Sequence, residues 1–209
     1  MKVLIRLVVC LSIMTSFSST HAAVQGFINE AAWDSAVSVI TSDVRLENFD
    51  GLPHGYLGIS GDIIAEGSAT VRNFQGTTIS PRVDNDSWYG GGWLVNRNYP
   101  GFDEFQHGFV FDFLEPVIAV ALTDNPFEKN RLRIYDANDQ LLGEVSNDGG
   151  VHFLGLISTS PIAYATVINL PPEDGIFAID NLKVGVSTIP EPASFAVLSM
   201  MGLLAIRRR

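Results

Sequence analysis

The chain has 209 residues, a formal net charge of -10 from 23 acidic and 13 basic side chains, and a single cysteine. That acidic balance repels phosphate backbones and anionic lipid headgroups, which excludes nucleic acid binding as a function class. The one thiol, Cys10, lies in the first apolar segment, so the remainder can form no disulfide and offers no cysteine nucleophile.

Met1 to Ala22 reads as a secretory signal peptide. Lys2 and Arg6 provide the positive start, Val3 to Ile13 the apolar segment, and Thr20-His21-Ala22 a small-x-Ala cleavage site. Export is therefore expected, with the mature chain starting near Ala23. Without this segment and the tail from residue 187 onward, 8 basic and 22 acidic residues remain, a formal charge of -14. The stretch 23–186 has the length of one domain and can bury a sizeable core without covalent staples.

The first periodic segment is Asn29 to Val39, where Asn29 suits an N-cap and Ala32, Trp33, Ala36 and Val37 recur at helical spacing. Beyond it come short β-branched and aromatic runs separated by Gly, Asn, Asp and Pro. Strands are expected at Val44–Phe49, Ala69–Phe74, Thr77–Val83, Trp93–Asn96, Gly108–Leu114, Val117–Thr123, Arg131–Tyr135, Leu141–Ser146, Val151–Leu156, Ala163–Leu170 and Ile176–Val184. Asp136 to Asp139 and Asn147 to Gly150 read as hairpin loops, and Glu115-Pro116 as a break between two strands. The pattern predicts an all-β, antiparallel, jelly-roll-like sandwich with one short N-terminal helix.

Asp84 to Glu104 stands apart, concentrating Trp88, Tyr89, Trp93, Tyr99 and Phe102 among glycines, asparagines and acids. These rings either cap an open edge of the sandwich or form a platform on which sugars stack, with Trp88, Tyr89, Trp93 and Tyr99 as the glycan candidates. Catalytic patterns are thin. His54, His107 and His152 are scattered without metal spacing, no Gly-x-Ser-x-Gly elbow occurs, and no phosphate-cradling glycine loop opens a helix. A non-enzymatic protein is expected, with a polysaccharide-active hydrolase or lyase as the rival.

The C-terminus has three parts: Ile189-Pro190-Glu191-Pro192, an apolar run from Ala193 to Ile206, and Arg207, Arg208 and Arg209. The run spans about 21 Å as a helix against a hydrocarbon core of about 30 Å, enough for temporary rather than permanent anchoring. The arginines would act as a stop-transfer signal on the cytoplasmic side. This order of motif, apolar helix and basic end resembles the PEP-CTERM sorting signal of exported Gram-negative bacterial proteins, a tail type also labelled an ice-binding protein C-terminal domain. Ile189 stands where valine is commonest in that signal. The resemblance covers only the last twenty or so residues. It implies recognition and cleavage by exosortase, a membrane transpeptidase. The chain would pass through an inner-membrane-anchored intermediate to the cell surface or the exopolysaccharide matrix.

Two acidic segments frame the domain, Leu46 to Gly51 and Phe177 to Leu182. The second is similar to the closing strand of jelly-roll carbohydrate-binding modules with a galactose-binding-like fold, and the whole body resembles the β-sandwich that often precedes this tail. That resemblance implies a structural calcium site, for which Glu47, Asp50 and Asp180 are the candidate ligands.

Overall fold

The computed structural model describes residues 22–50, 52, 55–56, 62–73, 82–84, 93–97, 108–124, 129–149, 153–170 and 176–187. The signal segment, the sorting tail and most of the Asp84 to Glu104 loop lie outside them. The elements are β1 (Val24–Phe27), α1 (Glu30–Val37), β2 (Val44–Glu47), β3 (Gly55–Tyr56), β4 (Asp62–Ile64), a 3-10 turn (Ala65–Gly67), β5 (Ala69–Asn73), β6 (Arg82–Asp84), β7 (Trp93–Arg97), β8 (Gly108–Asp124), β9 (Asn130–Tyr135), β10 (Leu141–Ser146), β11 (Phe153–Asn169) and β12 (Ile176–Val186). Every pairing among the described strands is antiparallel.

Two long strands organise the sandwich. The first half of β8 and the second half of β11 form one sheet with β5, β9 and β10, while their other halves form a second sheet with β1, β12, β2 and β7. The expected break at Glu115-Pro116 is not a break. Proline has no N–H to give a ladder, and Pro116 sits where β8 changes neighbours: Phe113 is the last residue opposite β5, and Val117 the first opposite β12. β11 turns the same corner, with register shifts between Ile157 and Tyr164. The expected strands Val151–Leu156 and Ala163–Leu170 are thus one strand.

At each corner the inward set changes parity, because a strand that moves to the facing sheet must present its other side to the core. In β8 the core side chains are Phe109, Phe111 and Val117, then Val120 and Leu122; in β11 they are Leu154, Leu156 and Ile162, then Ala165 and Val167. Leu132, Ile134, Val71, Ile179, Leu182 and Val184 complete that core.

Helix α1 covers the outer side of the second sheet. Asn29 is extended and its Oδ1 accepts from the Ala32 N–H at 2.9 Å, and Glu30 in the first turn suits the positive helix end. Trp33 and Val37 pack on Ala119, Ala121 and Phe153, and the Trp33 and Phe153 rings meet edge to face at 6.2 Å. The space for the indole exists because residue 155 is glycine: a Cβ there would collide with the Trp33 ring. Lys183 Nζ bonds Asp34 at 2.7 Å and Glu30 at 2.8 Å and stands 5.8 Å from the Trp33 ring centroid, pinning the helix to β12.

The Asp136 turn is as expected, its Oδ1 accepting from the N–H groups of Asn138 at 2.8 Å and Gln140 at 2.9 Å. The second expected hairpin is corrected. Among the described strands β10 pairs with β9 and not with β11, whose first half lies in the other sheet, so these two strands do not form a hairpin.

Candidate functional site

Among the described residues, two of the places that gather polar side chains are candidates for a ligand. The first is at one end of the second sheet, where Glu47 closes β2 opposite Leu182 of β12. Glu47 Oε1 accepts from the Phe49 N–H at 2.8 Å and Oε2 from the Ala65 N–H at 3.2 Å. Both donors belong to non-glycine residues with positive φ, 57° and 52°, so this one carboxylate holds two left-handed turns in place. Asp50 bonds Asn48 in the turn after β2, Asn48 Nδ2 donating to its Oδ2 at 3.2 Å.

Asp180 precedes a bulge in β12, where Asn181 and Leu182 together oppose one residue of β8 and Asn181 has φ 50°. Its two oxygens accept from the Asn181 N–H at 2.6 Å and Asn181 Nδ2 at 2.9 Å. Burial pushes the Asp180 carboxyl up to about 6; the Asn181 N–H opposes the shift, and the charges of Asp50 and Glu47 add to it. The fold thus brings the three candidate calcium ligands within electrostatic reach of one another.

A calcium site needs six to eight converging oxygens. Here the Glu47 and Asp180 oxygens already accept from nearby N–H groups, and among the described residues no three His, Cys, Asp or Glu side chains are grouped so as to hold a metal ion. The arrangement forms two hydrogen-bonded turns set side by side.

The second place is the outer face of the first sheet. Strand alternation sends Leu132 and Ile134 inward and Arg131, Arg133 and Tyr135 outward. Register then builds two rows across the sheet. One runs Thr70, Asp112, Tyr164, Tyr135, Leu141; the next runs Arg72, Val110, Thr166, Arg133, Glu144. Tyr135 and Tyr164 stack at 4.6 Å with 8° between their planes. An ion pair lies on each side of the stack, Arg72 Nε to Asp112 at 2.6 Å and Arg133 Nε to Glu144 at 2.8 Å. Hydrogen bonding from Arg133 holds the Glu144 carboxyl below its ordinary value, while desolvation, followed by the nearby Asp139, pushes the Tyr164 hydroxyl up. Part of this face is covered: Val110, Thr166 and Ile168 point outward with Arg133 and Arg131 yet are only 3%, 4% and 3% exposed, whereas Tyr135 and Tyr164 are half-buried.

Of the four candidate glycan aromatics, Trp93 opens β7 opposite Asp84 and is half-buried; Trp88, Tyr89 and Tyr99 lie outside the described residues. So do Pro190, Glu191, Pro192, Arg207, Arg208 and Arg209. The Tyr135 and Tyr164 pair was missed by the sequence reading. Its signal was present in Arg131-x-Arg133-x-Tyr135, alternating with Leu132 and Ile134, but nothing local indicates that Tyr164 becomes the cross-strand partner.

No protein-family model matches the chain, and no curated protein matches it. Among solved structures it is similar to the lectin binding domain of Lectinolysin complexed with Lewis b, at 15% identity and TM-score 0.39 over 65% of this chain and 100% of that one. A fucose binding module of Streptococcus pneumoniae is similar at 10% identity and TM-score 0.38, over 56% and 93% of the two chains. A family 29 carbohydrate binding module is similar at 12% identity and TM-score 0.37, over 72% and 97%.

Proposed function

We propose that this chain is a non-enzymatic β-sandwich, exported by its N-terminal signal and sorted to the cell surface or extracellular matrix by its C-terminal tail, where it contacts exopolysaccharide. The sorting part rests on residues 189–209 as sequence, with exosortase as the processing partner. The contact part rests on the stacked Tyr135 and Tyr164 between two arginine–carboxylate pairs. Aromatic faces suit the apolar faces of sugar rings, and paired guanidinium and carboxylate groups offer donors and acceptors to ring hydroxyls.

The full chain in detergent, applied to a glycan array and to a reducing-end release assay, tests this reading. Retention of a polysaccharide without hydrolysis, weakened about tenfold in Tyr135→Ala or Tyr164→Ala, is the expected result. Absence of any retained glycan overturns it.

Asp180 gives the enzymatic rival its one supporting observation, since a carboxyl raised to about 6 beside charged carboxylates is the pattern of a general acid. Both of its oxygens, however, are engaged by Asn181. Released reducing ends that vanish in Asp180→Asn would favour that rival.

A further inference from the structure

Strand β1 begins one residue after Ala23, where the mature chain is expected to start, and Ala23 itself is already bonded to the sandwich. Its N–H donates to Thr159 Oγ1 at 3.0 Å, and its carbonyl accepts from the Thr159 N–H at 3.1 Å. Register then runs without a shift from Val24 opposite Ser158 to Phe27 opposite Gly155. Side chains fix the same placement. Val24 packs against the main core, and it can do so because residue 143 of β10 is glycine: a Cβ there would stand 2.5 Å from Val24 Cγ1. Bonded to β11 and packed against β10, β1 has no slack in register from its first residue.

A peptidase that cuts after a small residue takes its substrate as an extended strand, so the backbone groups on both sides of the bond must be free to pair with the enzyme. Hydrolysis of Ala22–Ala23 breaks the bond between the Ala22 carbonyl carbon and the Ala23 nitrogen. Water supplies the oxygen that makes Ala22 a carboxylate and the two hydrogens that make Ala23 an ammonium. In the folded domain that leaving nitrogen is the one held by Thr159. Ala23 is exposed, but its backbone is engaged on both sides of the residue. A cut therefore needs β1 to open first, which breaks its pairing with β11 and withdraws Val24 from the core.

We infer that docking of β1 closes the cleavage site: Ala22–Ala23 is cut only while β1 is off β11, and Thr159 then receives the new ammonium. The inference rests on the export reading and adds to it an order of events and a receptor residue. An ammonium has three donors, and Thr159 Oγ1 accepts one of them in a charge-assisted bond that is stronger than the one the amide makes. The processed terminus carries no overhang, since residue 23 is both the first of the mature chain and the first bonded to β11.

Full-length precursor in detergent, diluted from urea into a purified signal peptidase, is the test. Peptidase present from the start cuts after Ala22, read by N-terminal mass analysis. Added once tryptophan fluorescence has reached its native value, the same peptidase cuts at least about tenfold more slowly, and a second passage through urea restores the first rate. Thr159→Val, close in shape, keeps the melting temperature and speeds cutting of the folded precursor several-fold. Gly143→Val, whose added side chain unseats Val24, speeds it further. Equal rates for folded and newly diluted precursor, or folded Thr159→Val and Gly143→Val precursors as resistant as the parent, overturn the inference and leave the export reading intact. Failure of the newly diluted precursor to be cut after Ala22 overturns both.

Discussion

Replacing Asp180 by asparagine isolates the one carboxyl that, among the described residues, the fold holds far from its ordinary titration range. Its value moves from 3.8 to about 6, so the folded state binds this proton more tightly than the unfolded chain does. Stability therefore falls as pH rises between those two values and is level above them, where the buried charge persists. Each pH unit of separation corresponds to about 1.4 kcal/mol, which gives about 3 kcal/mol at full effect. Asp180 is only half-buried, and solvent screening reduces this to about 1 to 2 kcal/mol. Asparagine removes the charge and keeps an acceptor for the Asn181 N–H. A rotation of the Asn181 amide restores the second hydrogen bond, which Asn181 Nδ2 makes at 2.9 Å to the aspartate. Urea denaturation should show the variant more stable than the parent by that amount near pH 7.5 and equal to it near pH 4. A variant less stable than the parent near pH 7.5 refutes the reasoning. Were that loss seen in calcium and absent in chelator, it would instead show that a cation uses this carboxylate.

Three other outcomes test separate parts of the structure. Gly155→Ala should lower stability by about 1 to 3 kcal/mol, because the added methyl meets the Trp33 indole, and loss of native tryptophan fluorescence at lower denaturant would report it. Glu47→Gln should cost about 1 to 2 kcal/mol, since the amide can accept from Phe49 or Ala65 but not from both; an unchanged denaturation midpoint counts against Glu47 as the tie between those turns. Replacing Pro190, Glu191 and Pro192 by alanines should leave the protein exported but held at the inner membrane with its tail attached, whereas deleting residues 193–209 should release it; fractionation with a tag inside the domain separates these results, and surface delivery of the alanine variant in processed form refutes the sorting role.

The helix was legible because its signals are local. Asn29 caps as its side chain suggests, and α1 runs from Glu30 to Val37 within the expected 29–39. Most strands were legible from the same kind of alternation, and β10 has the expected bounds. The corner strands were not. Pro116 announces a break to any rule that reads neighbours along the chain, whereas its actual role depends on which strands flank β8 in space. Strand β1 was missed because Val24 to Phe27 is short, contains a glycine and pairs with residues far along the chain. At the candidate sites the carboxylates Glu47, Asp50 and Asp180 were visible from their segments, and their mutual influence is borne by the pairing of β2 with β12. The hydrogen bonds that Glu47 and Asp180 accept from backbone N–H groups arise from left-handed turns at Phe49, Ala65 and Asn181. Such φ values are uncommon for non-glycine residues, and no local sequence rule assigns them.

The pairing of the first strands with the last has a consequence for the order of events during synthesis. Val24 lies opposite Ser158 and Val44 opposite Gly185, so β1 and β2 have no partners until nearly the whole domain has been made. Closing such long intervals is slow compared with forming local helical contacts. A growing chain therefore stays open until its last strands are available. The delay is built into the topology: the sandwich can close only after its last strand has been made, which is the behaviour that the proposed export would require of the chain.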